Sequence, residues 1–310
     1  MRKSFYSNGK LLLTGEYLVL DGGLGLALPT RYGQSLSVTE TNTSKLEWRS
    51  LDINEKIWFH TTFELDPLKP TVESTRFSAG ENDNAIVETL SKILAEAKKL
   101  NPGFLRGEQG FVVETKLDFP RDWGLGSSST LINNIAQWAM VNAYELLWNS
   151  FSGSGYDIAC AQHDRPILYQ LDKEVPRVEE IDFNPPFGDS LYFVHLNKKQ
   201  SSREAITKYR AIHFDKGDII DKTSEITRSL IYCTDLSDFE ALLQEHEKLL
   251  SDTLHIPTVK ESLFPDYAGS VKSLGAWGGD FILATGTVEA PVYFKEKGFE
   301  TAIRYLDMVL

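Results

Sequence analysis

Short runs of apolar or β-branched residues, separated by Gly, Asp and Asn, dominate the first third of the chain. They predict strands over residues 11–13, 17–20 and 36–39. Apolar residues spaced three and four apart then predict a helix over residues 86–100. An Asn-Pro-Gly sequence at residues 101–103 ends that helix.

A glycine-rich turn separates a predicted strand at residues 111–115 from a second amphipathic helix. This helix begins near Ser128 and carries its apolar face as far as Ala143. Residues 172–188 hold three prolines and several acids without a helical or alternating pattern, which makes them the best candidate for a domain boundary. Beyond them, the pattern predicts strands over 191–196 and 281–284 and helices over 203–213, 218–232 and 239–250.

Strands and helices are therefore mixed on both sides of the candidate boundary. We expect an α+β protein of two domains, residues 1–180 and 181–310, with a ligand cleft between them. The 310 residues are 42% hydrophobic and 25% charged, which is an ordinary globular composition.

Charge and cysteine content narrow the class of protein. With 32 Lys and Arg against 44 Asp and Glu, the net charge of −12 argues against nucleic acid and anionic membranes as partners. No apolar run approaches the roughly 20 residues that span a bilayer, and residues 1–10 lack the apolar core of a signal peptide. The chain has only two cysteines, so we expect a reduced, cytoplasmic protein.

The strongest chemical signal is the sequence Gly-Leu-Gly-Ser-Ser-Ser-Thr at residues 124–130, directly before the second helix. Glycines let a phosphate approach the backbone, and the free N–H groups at a helix start suit an anion. We expect one serine hydroxyl to cap the helix and another to bind Mg²⁺, which prefers hard oxygen ligands. A glycine turn without any ligand is the alternative interpretation.

Three weaker features accompany this loop. A second glycine-rich turn covers residues 275–280, and the sequence Gly-Ser-Gly-Tyr-Asp at 153–157 places a carboxylate after a turn. Lys10 lies at the start of an apolar strand. Each also has an ordinary structural interpretation, and His246, on the apolar face of its helix, is interpreted as a core residue.

Other site chemistries lack their motifs. The chain has no G-x-x-x-x-G-K-[ST] phosphate loop, no G-x-S-x-G elbow of a hydrolase and no H-E-x-x-H zinc motif. Cys160 and Cys233 are 73 residues apart, which is not the spacing of a zinc pair.

Taken in order, the segments GKLLLTGEYLVLDGG (9–23), GLGSSST (124–130), GSGYDIA (153–159) and GAWGGDF (275–281) resemble the GHMP small-molecule kinases over essentially the whole chain. The resemblance implies an N-terminal domain like domain 2 of ribosomal protein S5 and a C-terminal ferredoxin-like domain. It also implies that ATP and Mg²⁺ are the cofactors and that a small anionic molecule accepts the phosphate.

The resemblance assigns roles residue by residue. It implies Asp157 as catalytic base and Lys10 as the lysine that lowers the charge around it. It places ATP on Gly124, Leu125, Gly126, Ser127, Ser128 and Ser129, and Mg²⁺ on Ser127, Ser128 and, as a weak replacement for the family's glutamate, Glu145. It places the acceptor on Glu16, Tyr17, Ser154, Gly155, Ser202, Arg203, Lys272, Gly275 and Gly278.

Two departures from the family concern the nucleotide pocket, because Ser129 stands where Ala is usual and Trp277 where a small residue is usual. Ser127 and Asp157 are also only 30 residues apart, which indicates that a family helix is missing. Gly-Glu-Tyr at 15–17 and Gly-Asp at 279–280 resemble the phosphomevalonate branch more than the mevalonate branch.

The resemblance therefore predicts transfer of the ATP γ-phosphate to a mevalonate-pathway acceptor, phosphomevalonate ahead of mevalonate, by a monomer or homodimer. A mevalonate kinase, another GHMP kinase of sugars or amino-acid alcohols, and a non-catalytic sensor with this fold are the alternatives. The presence of both Lys10 and Asp157 argues against the sensor.

Overall fold

The computed structural model describes residues 1–65, 73–75, 81–107 and 109–310, and gives only the backbone for 73–75, 81–83 and 202. The strands are β1 (Arg2–Leu12), β2 (Gly25–Thr41), β3 (Lys45–Leu51), β4 (Ile57–Glu64), β5 (Glu73–Thr75), β6 (Gly110–Leu117), β7 (Ile167–Asp172), β8 (Val175–Glu180), β9 (Leu191–His195), β10 (Val271–Ser273), β11 (Phe281–Thr285) and β12 (Ala302–Arg304). The α-helices are α1 (Glu81–Leu100), α2 (Ser127–Ala139), α3 (Ala143–Ser150), α4 (Tyr156–Gln162), α5 (Ser202–Ala211), α6 (Lys216–Leu230), α7 (Leu236–Leu254), α8 (Val259–Leu263), α9 (Ala290–Glu296) and α10 (Tyr305–Met308).

The chain forms two compact units, each built from separate segments. The first unit contains Met1–Gly9, Tyr32–Arg121 and Gly126–Gln162, and the second contains Lys10–Arg31, Asp122–Leu125 and His163–Leu310. The two units are defined by contacts within the folded chain and not by position in the sequence. They do not test the domain boundary between residues 180 and 181, which stays a prediction.

In the first unit, the strands follow the order β5-β4-β3-β6-β2. Strand β6 is parallel to β3 and antiparallel to β2. The alternation of inward apolar and outward polar residues on these strands buries one face, where Trp48 and Phe63 meet Leu94 of α1 and Ile135 of α2. The core of this unit therefore supports the helix that follows the glycine-rich loop.

In the second unit, four strands follow the order β10-β11-β9-β12, and all pairs are antiparallel. Every residue of β9 and β11 is buried, which explains their continuous apolar sequences. Strand β10 also has three buried residues, although one of them is Lys272. The start of β2 pairs with β7, and β7 pairs with β8.

Most predicted elements are confirmed, and three predictions are wrong. Residues 17–20 do not form a strand, because Tyr17 takes a left-handed φ of 63° and a short 3-10 helix, Leu18–Asp21, follows. Helix α2 does not reach Ala143, because Met140 at a φ of 54° ends it. Residues 172–188 are not patternless, since β8 lies there as an exposed strand paired with β7. Among the helices that the structure describes, none is long and apolar enough to span a membrane.

Candidate active site

The glycine-rich loop leads into α2 through a glycine and not through a serine. Gly126 is the residue before the helix and has a φ of 91°, a conformation that glycine adopts without strain. Ser127 is already the first helical residue, so the prediction that a serine hydroxyl caps this helix is wrong. The backbone N–H groups of Ser127, Ser128 and Ser129 have no acceptor one turn earlier in the helix. They form a place where an anion can bind.

The three serines have different surroundings. Ser129 is buried, and its hydroxyl donates to the Gly126 carbonyl at 2.8 Å. Ser127 is half-buried and Ser128 is exposed, and neither hydroxyl has a hydrogen bond to the residues that the structure describes. Two hard oxygen donors therefore remain available at the helix start, and these fit a Mg²⁺ ion that keeps most of its waters and phosphate ligands.

Lys10, near the end of β1, reaches the first glycine of the loop. Its ammonium donates to the Gly124 carbonyl at 2.7 Å, and its backbone N–H donates to the Leu125 carbonyl at 3.0 Å. Lys10 is half-buried, and an ammonium has three donors, of which the hydrogen bond to Gly124 uses one. The predicted lysine therefore contacts the loop that was predicted to bind phosphate.

Asp280 lies against the same glycine. A Cβ atom at Gly124 would lie 2.2 Å from the Asp280 Cγ, so only glycine fits there beside this carboxylate. Burial raises the pKa of the Asp280 carboxyl, while the nearby Lys10 ammonium opposes the shift. In the sequence, Asp280 served only as a mark of a kinase branch, and its contact with Gly124 has no sequence signal because the two residues are far apart in the chain.

A cluster of charged residues is completely enclosed in the second unit. Lys272 is 0% exposed, pairs with the Glu16 carboxylate and lies 3.1 Å from Glu247 Oε1. Glu247 also accepts a hydrogen bond from the Ser273 hydroxyl at 2.9 Å. Glu16 and Lys272 were predicted to bind the acceptor. That role stays a prediction, and their contacts point to a structural ion pair.

His246 completes this cluster and is a core residue, as its position on the apolar face indicated. Its Nε2 accepts the N–H of Gly15 at 3.1 Å and lies 3.4 Å from Glu16 Oε2. Burial and the Lys272 charge lower the pKa of His246 well below its ordinary value, so the imidazole is neutral. Burial raises the pKa of Glu16 to about 7, although the Lys272 ammonium opposes this rise. Glu247 was missed, although an acid among the apolar residues of α7 signals a buried partner.

Aromatic side chains surround the second glycine-rich turn. Tyr17 stacks on Tyr209 with ring centroids 5.3 Å apart, and both belong to a cluster that includes Trp277, which is 6% exposed. Burial raises the pKa of Tyr17 to about 12, so its hydroxyl stays protonated. Trp277, the departure from the family pattern, therefore fills space in this cluster.

Asp157 is the second residue of α4, directly after the turn that Gly155 makes at a φ of 93°. The carboxylate is half-buried, and its Oδ1 accepts the Ile158 N–H at 3.1 Å. Ser154 before it is buried. Burial raises the pKa of nearby Tyr144, and the negative charge of Asp157 adds to the rise. The carboxylate is thus fixed by a helix start and not by a flexible turn.

The remaining predicted site residues lie on the surface or in turns. Glu145 is exposed in the first turn of α3, and Arg203 is exposed in the first turn of α5. Ser202 begins α5, but its side chain lies outside the described part of the chain. Gly275 and Gly278 both have positive φ angles, 58° and 83°. No group of three His, Cys, Asp or Glu residues that could hold a metal occurs among the described residues, so protein carboxylates do not define a metal site by themselves.

Comparison with known proteins gives a clear answer for the fold. A mevalonate kinase from Methanococcus jannaschii matches with a TM-score of 0.69 and 16% identity over 97% of this chain and 96% of that one. A Streptococcus pneumoniae phosphomevalonate kinase, in complex with phosphomevalonate and AMPPNP, matches with a TM-score of 0.65 and 16% identity over 97% and 99%. A Lactococcus lactis galactokinase complexed with galactose matches at 0.66 and 15% over 96% and 88%.

No protein-family model matches the chain, and no curated protein matches it by sequence. Nevertheless, the structural matches extend over nearly the full length of this chain. The predicted fold is therefore confirmed: the chain has the α+β fold of the GHMP kinases.

Proposed function

We propose that this protein is an ATP-dependent small-molecule kinase that transfers the γ-phosphate of ATP to an anionic acceptor of the mevalonate pathway. The observation that carries the proposal is the loop at Gly124–Ser129: it contains glycines and free helix N–H groups, and Lys10 donates to the carbonyl of its first residue, Gly124, at 2.7 Å. Such a combination suits the phosphates of a nucleotide. The fold that the chain shares with small-molecule kinases supports it.

Phosphoryl transfer requires positioning and neutralisation of charge more than covalent help from the protein. In this proposal the N–H groups of Ser127, Ser128 and Ser129 bind the phosphates, and the Lys10 ammonium neutralises negative charge near them. The hydroxyls of Ser127 and Ser128 would hold Mg²⁺, which, when bound with ATP, neutralises charge on the phosphates. Glu145 is a weaker candidate for that role because it is an exposed residue in the first turn of α3.

Asp157 is the proposed base for an alcohol acceptor. A phosphate acceptor is already largely a dianion at neutral pH, since its second pKa is about 6, and needs cations more than a base. For phosphomevalonate, Asp157 would therefore mainly orient the acceptor. We favour phosphomevalonate over mevalonate because Gly-Glu-Tyr at 15–17 and Gly-Asp at 279–280 resemble that branch.

The acceptor-binding residues are proposed with unequal support. Tyr17, Ser154, Gly155, Ser202, Arg203, Gly275 and Gly278 stay candidates for acceptor binding. Glu16 and Lys272 receive less support, because both side chains are 0% exposed and occupied by each other. Arg203 is an exposed cation and the better candidate to contact an anionic acceptor.

The test is a coupled assay of ATP turnover with mevalonate, phosphomevalonate, homoserine and hexoses. Turnover with a mevalonate compound supports the proposal, and turnover only with galactose or homoserine leaves a kinase of another acceptor. Absence of turnover together with tight binding of an acceptor would favour the non-catalytic sensor. Gly126→Val, which adds a side chain at a left-handed glycine, should abolish nucleotide binding measured by calorimetry in a folded variant.

Asp157→Asn gives a second test of the mechanism. It should lower turnover of an alcohol acceptor on the order of 10²-fold, because a positioned base contributes about that much. Nucleotide affinity should stay nearly constant. Asp235→Asn is the matched control, since Asp235 also accepts a backbone N–H at a helix start and Asn caps a helix equally well. Wild-type turnover in the Asp157 variant would remove this residue from the proposed chemistry.

A further inference from the structure

The Asp280 carboxylate packs against Gly124, the residue whose carbonyl binds the Lys10 ammonium. The Asp280 oxygens would lie 2.4 and 2.6 Å from a Cβ atom at Gly124, so the carboxylate packs directly over the bare Cα of that glycine. Gly124 has a φ of 65°, and its carbonyl is the acceptor of the Lys10 ammonium. The Asp280 carboxylate therefore limits movement of the Gly124 Cα on the side that it covers.

Backbone hydrogen bonds to neighbouring segments hold Asp280 in place. Its N–H donates to the Lys198 carbonyl at 2.7 Å, and its carbonyl accepts the Leu196 N–H at 2.8 Å. The Gln200 N–H donates to Oδ1 of the side chain at 3.3 Å. With a left-handed φ of 50°, which Asp and Asn tolerate better than most residues, Asp280 is a fixed support.

Positive charges lie near Asp280. Burial raises the pKa of its carboxyl, whereas the Lys10 and Lys199 ammonium groups and the Gln200 N–H favour its ionised form. A carboxylate beside a loop that is proposed to bind phosphate repels the phosphate, so Asp280 does not help to bind the nucleotide. It does attract the Lys10 ammonium, and this attraction acts in the direction that keeps Lys10 against Gly124.

We propose that Asp280 is a positioning residue that holds Gly124 and the Lys10 ammonium in the geometry needed for phosphoryl transfer. This role of Asp280 rests on the proposed kinase function. Asp280 orients a catalytic group at the expense of nucleotide affinity, and this predicts that loss of its charge lowers kcat without raising the KM for ATP.

Asp280→Asn tests this split, because Asn keeps the shape and the left-handed backbone but removes the charge. We expect kcat to fall roughly tenfold to a hundredfold, as for a catalytic group that loses its alignment. The KM for ATP should fall or stay constant, since a repelling charge is lost. A general loss of structure would instead raise KM and lower the melting temperature. Unchanged kcat, or a fall in kcat with a higher KM for ATP, would overturn the inference.

A second measurement does not need kinase activity. In the nucleotide-free protein, acylation of Lys10 by an amine-selective reagent is followed by peptide mass spectrometry. Asp280→Asn should speed acylation roughly twofold to fivefold, because a carboxylate that stabilises an ammonium contributes up to about that factor. Asp266→Asn is the control, since this carboxylate pairs with Lys297 elsewhere in the same unit. Equal acylation rates in wild type and Asp280→Asn would contradict the inference even if no acceptor is ever phosphorylated.

Discussion

Two lysines of the second unit meet carboxylates in different ways. Lys272 is 0% exposed, and its ammonium is enclosed by the carboxylates of Glu16 and Glu247. Lys10 is half-buried, donates to one backbone carbonyl and meets Asp280 only through a longer-range attraction. Protein groups surround the Lys272 ammonium on all sides, whereas the Lys10 ammonium can bind a further partner.

This difference separates stability from function. A buried charge that loses its partner costs much free energy, so the residues around Lys272 hold one another in place. A half-buried ammonium near a carboxylate is held in one orientation but keeps its positive charge. It can therefore form a charge-assisted hydrogen bond to an anionic ligand. We therefore expect changes at Lys272 to act on folding and changes at Lys10 to act on turnover.

The largest effect is expected from Lys272→Met. The variant leaves the two carboxylates of Glu16 and Glu247 buried without a cation, and loss of one partner of a buried ion pair costs about 3–5 kcal/mol. The free energy of unfolding from denaturant titration measures this loss. If the variant does not fold, the double variant Lys272→Met with Glu16→Gln should recover part of the stability, because it removes one of the two uncompensated charges.

Recovery in that double variant distinguishes charge from packing. Methionine fills a volume similar to lysine, so a pure packing defect would not respond to a change at Glu16. A Lys272→Met protein as stable as wild type would show that the enclosed ion cluster has no net role in folding.

The second effect is expected from Lys10→Met. Removing one donor that stabilises transferring charge costs about 10²–10³ in kcat. The melting temperature should change little, since the lysine makes one side-chain hydrogen bond to a carbonyl. Lys260→Met is a closely matched control, because Lys260 is also half-buried and donates to the Gly269 carbonyl at the same distance of 2.7 Å. Equal turnover in both variants would place Lys10 outside the proposed chemistry.

The same comparison shows what the sequence could predict. The loop at 124–130 and the helix after it have local signals: glycines, serines and the apolar period of a helix. The role predicted for Lys10 came from the resemblance to the GHMP kinases, because a lysine beside an apolar strand is ordinarily only solvated. The partners of Lys272 were not found, because Glu16 and Glu247 are distant in sequence and only the fold brings them together. Periodicity places a residue on a face, but it does not identify the side chain that this face meets.

The local signals also failed where backbone strain decides the structure. Residues 17–20 are apolar enough for a strand, yet Tyr17 has a φ of 63° and starts a turn. A tyrosine with a positive φ has no sequence signature, and here its ring stacks on Tyr209 in the cluster that includes Trp277. Tertiary contacts, not propensity, set this segment.

A smaller effect concerns pH and the enclosed acids. Burial raises the pKa of Glu16 to about 7, above its value in the unfolded chain. The stability that this shift contributes is therefore fully present below the unfolded pKa and is lost as the pH rises through about 7. We expect wild type to lose roughly 1–3 kcal/mol relative to Glu16→Gln between pH 5 and pH 8. This carboxylate is faced by Lys272, Glu247 and His246. Because burial also raises the pKa of Glu247, the unfolding free energy of the Glu16→Gln variant should still fall with pH, but less steeply. Parallel pH profiles of unfolding free energy would contradict this assignment.

The smallest effect is expected where the same kinds of charge meet in water. On α6, the Lys222 ammonium lies 2.7 Å from the Asp218 carboxylate, which is closer than Lys272 lies to Glu247. However, the side chains of Lys222 and Asp218 are both 56% exposed. Water already solvates these charges, and holding two long side chains in one geometry costs entropy. Lys222→Met should therefore leave the unfolding midpoint within experimental error of wild type, in contrast to Lys272→Met measured in the same buffer. If the two variants lost similar stability, then burial would not be what distinguishes these ion pairs, and the separation of a structural lysine from a functional one would lose its physical basis.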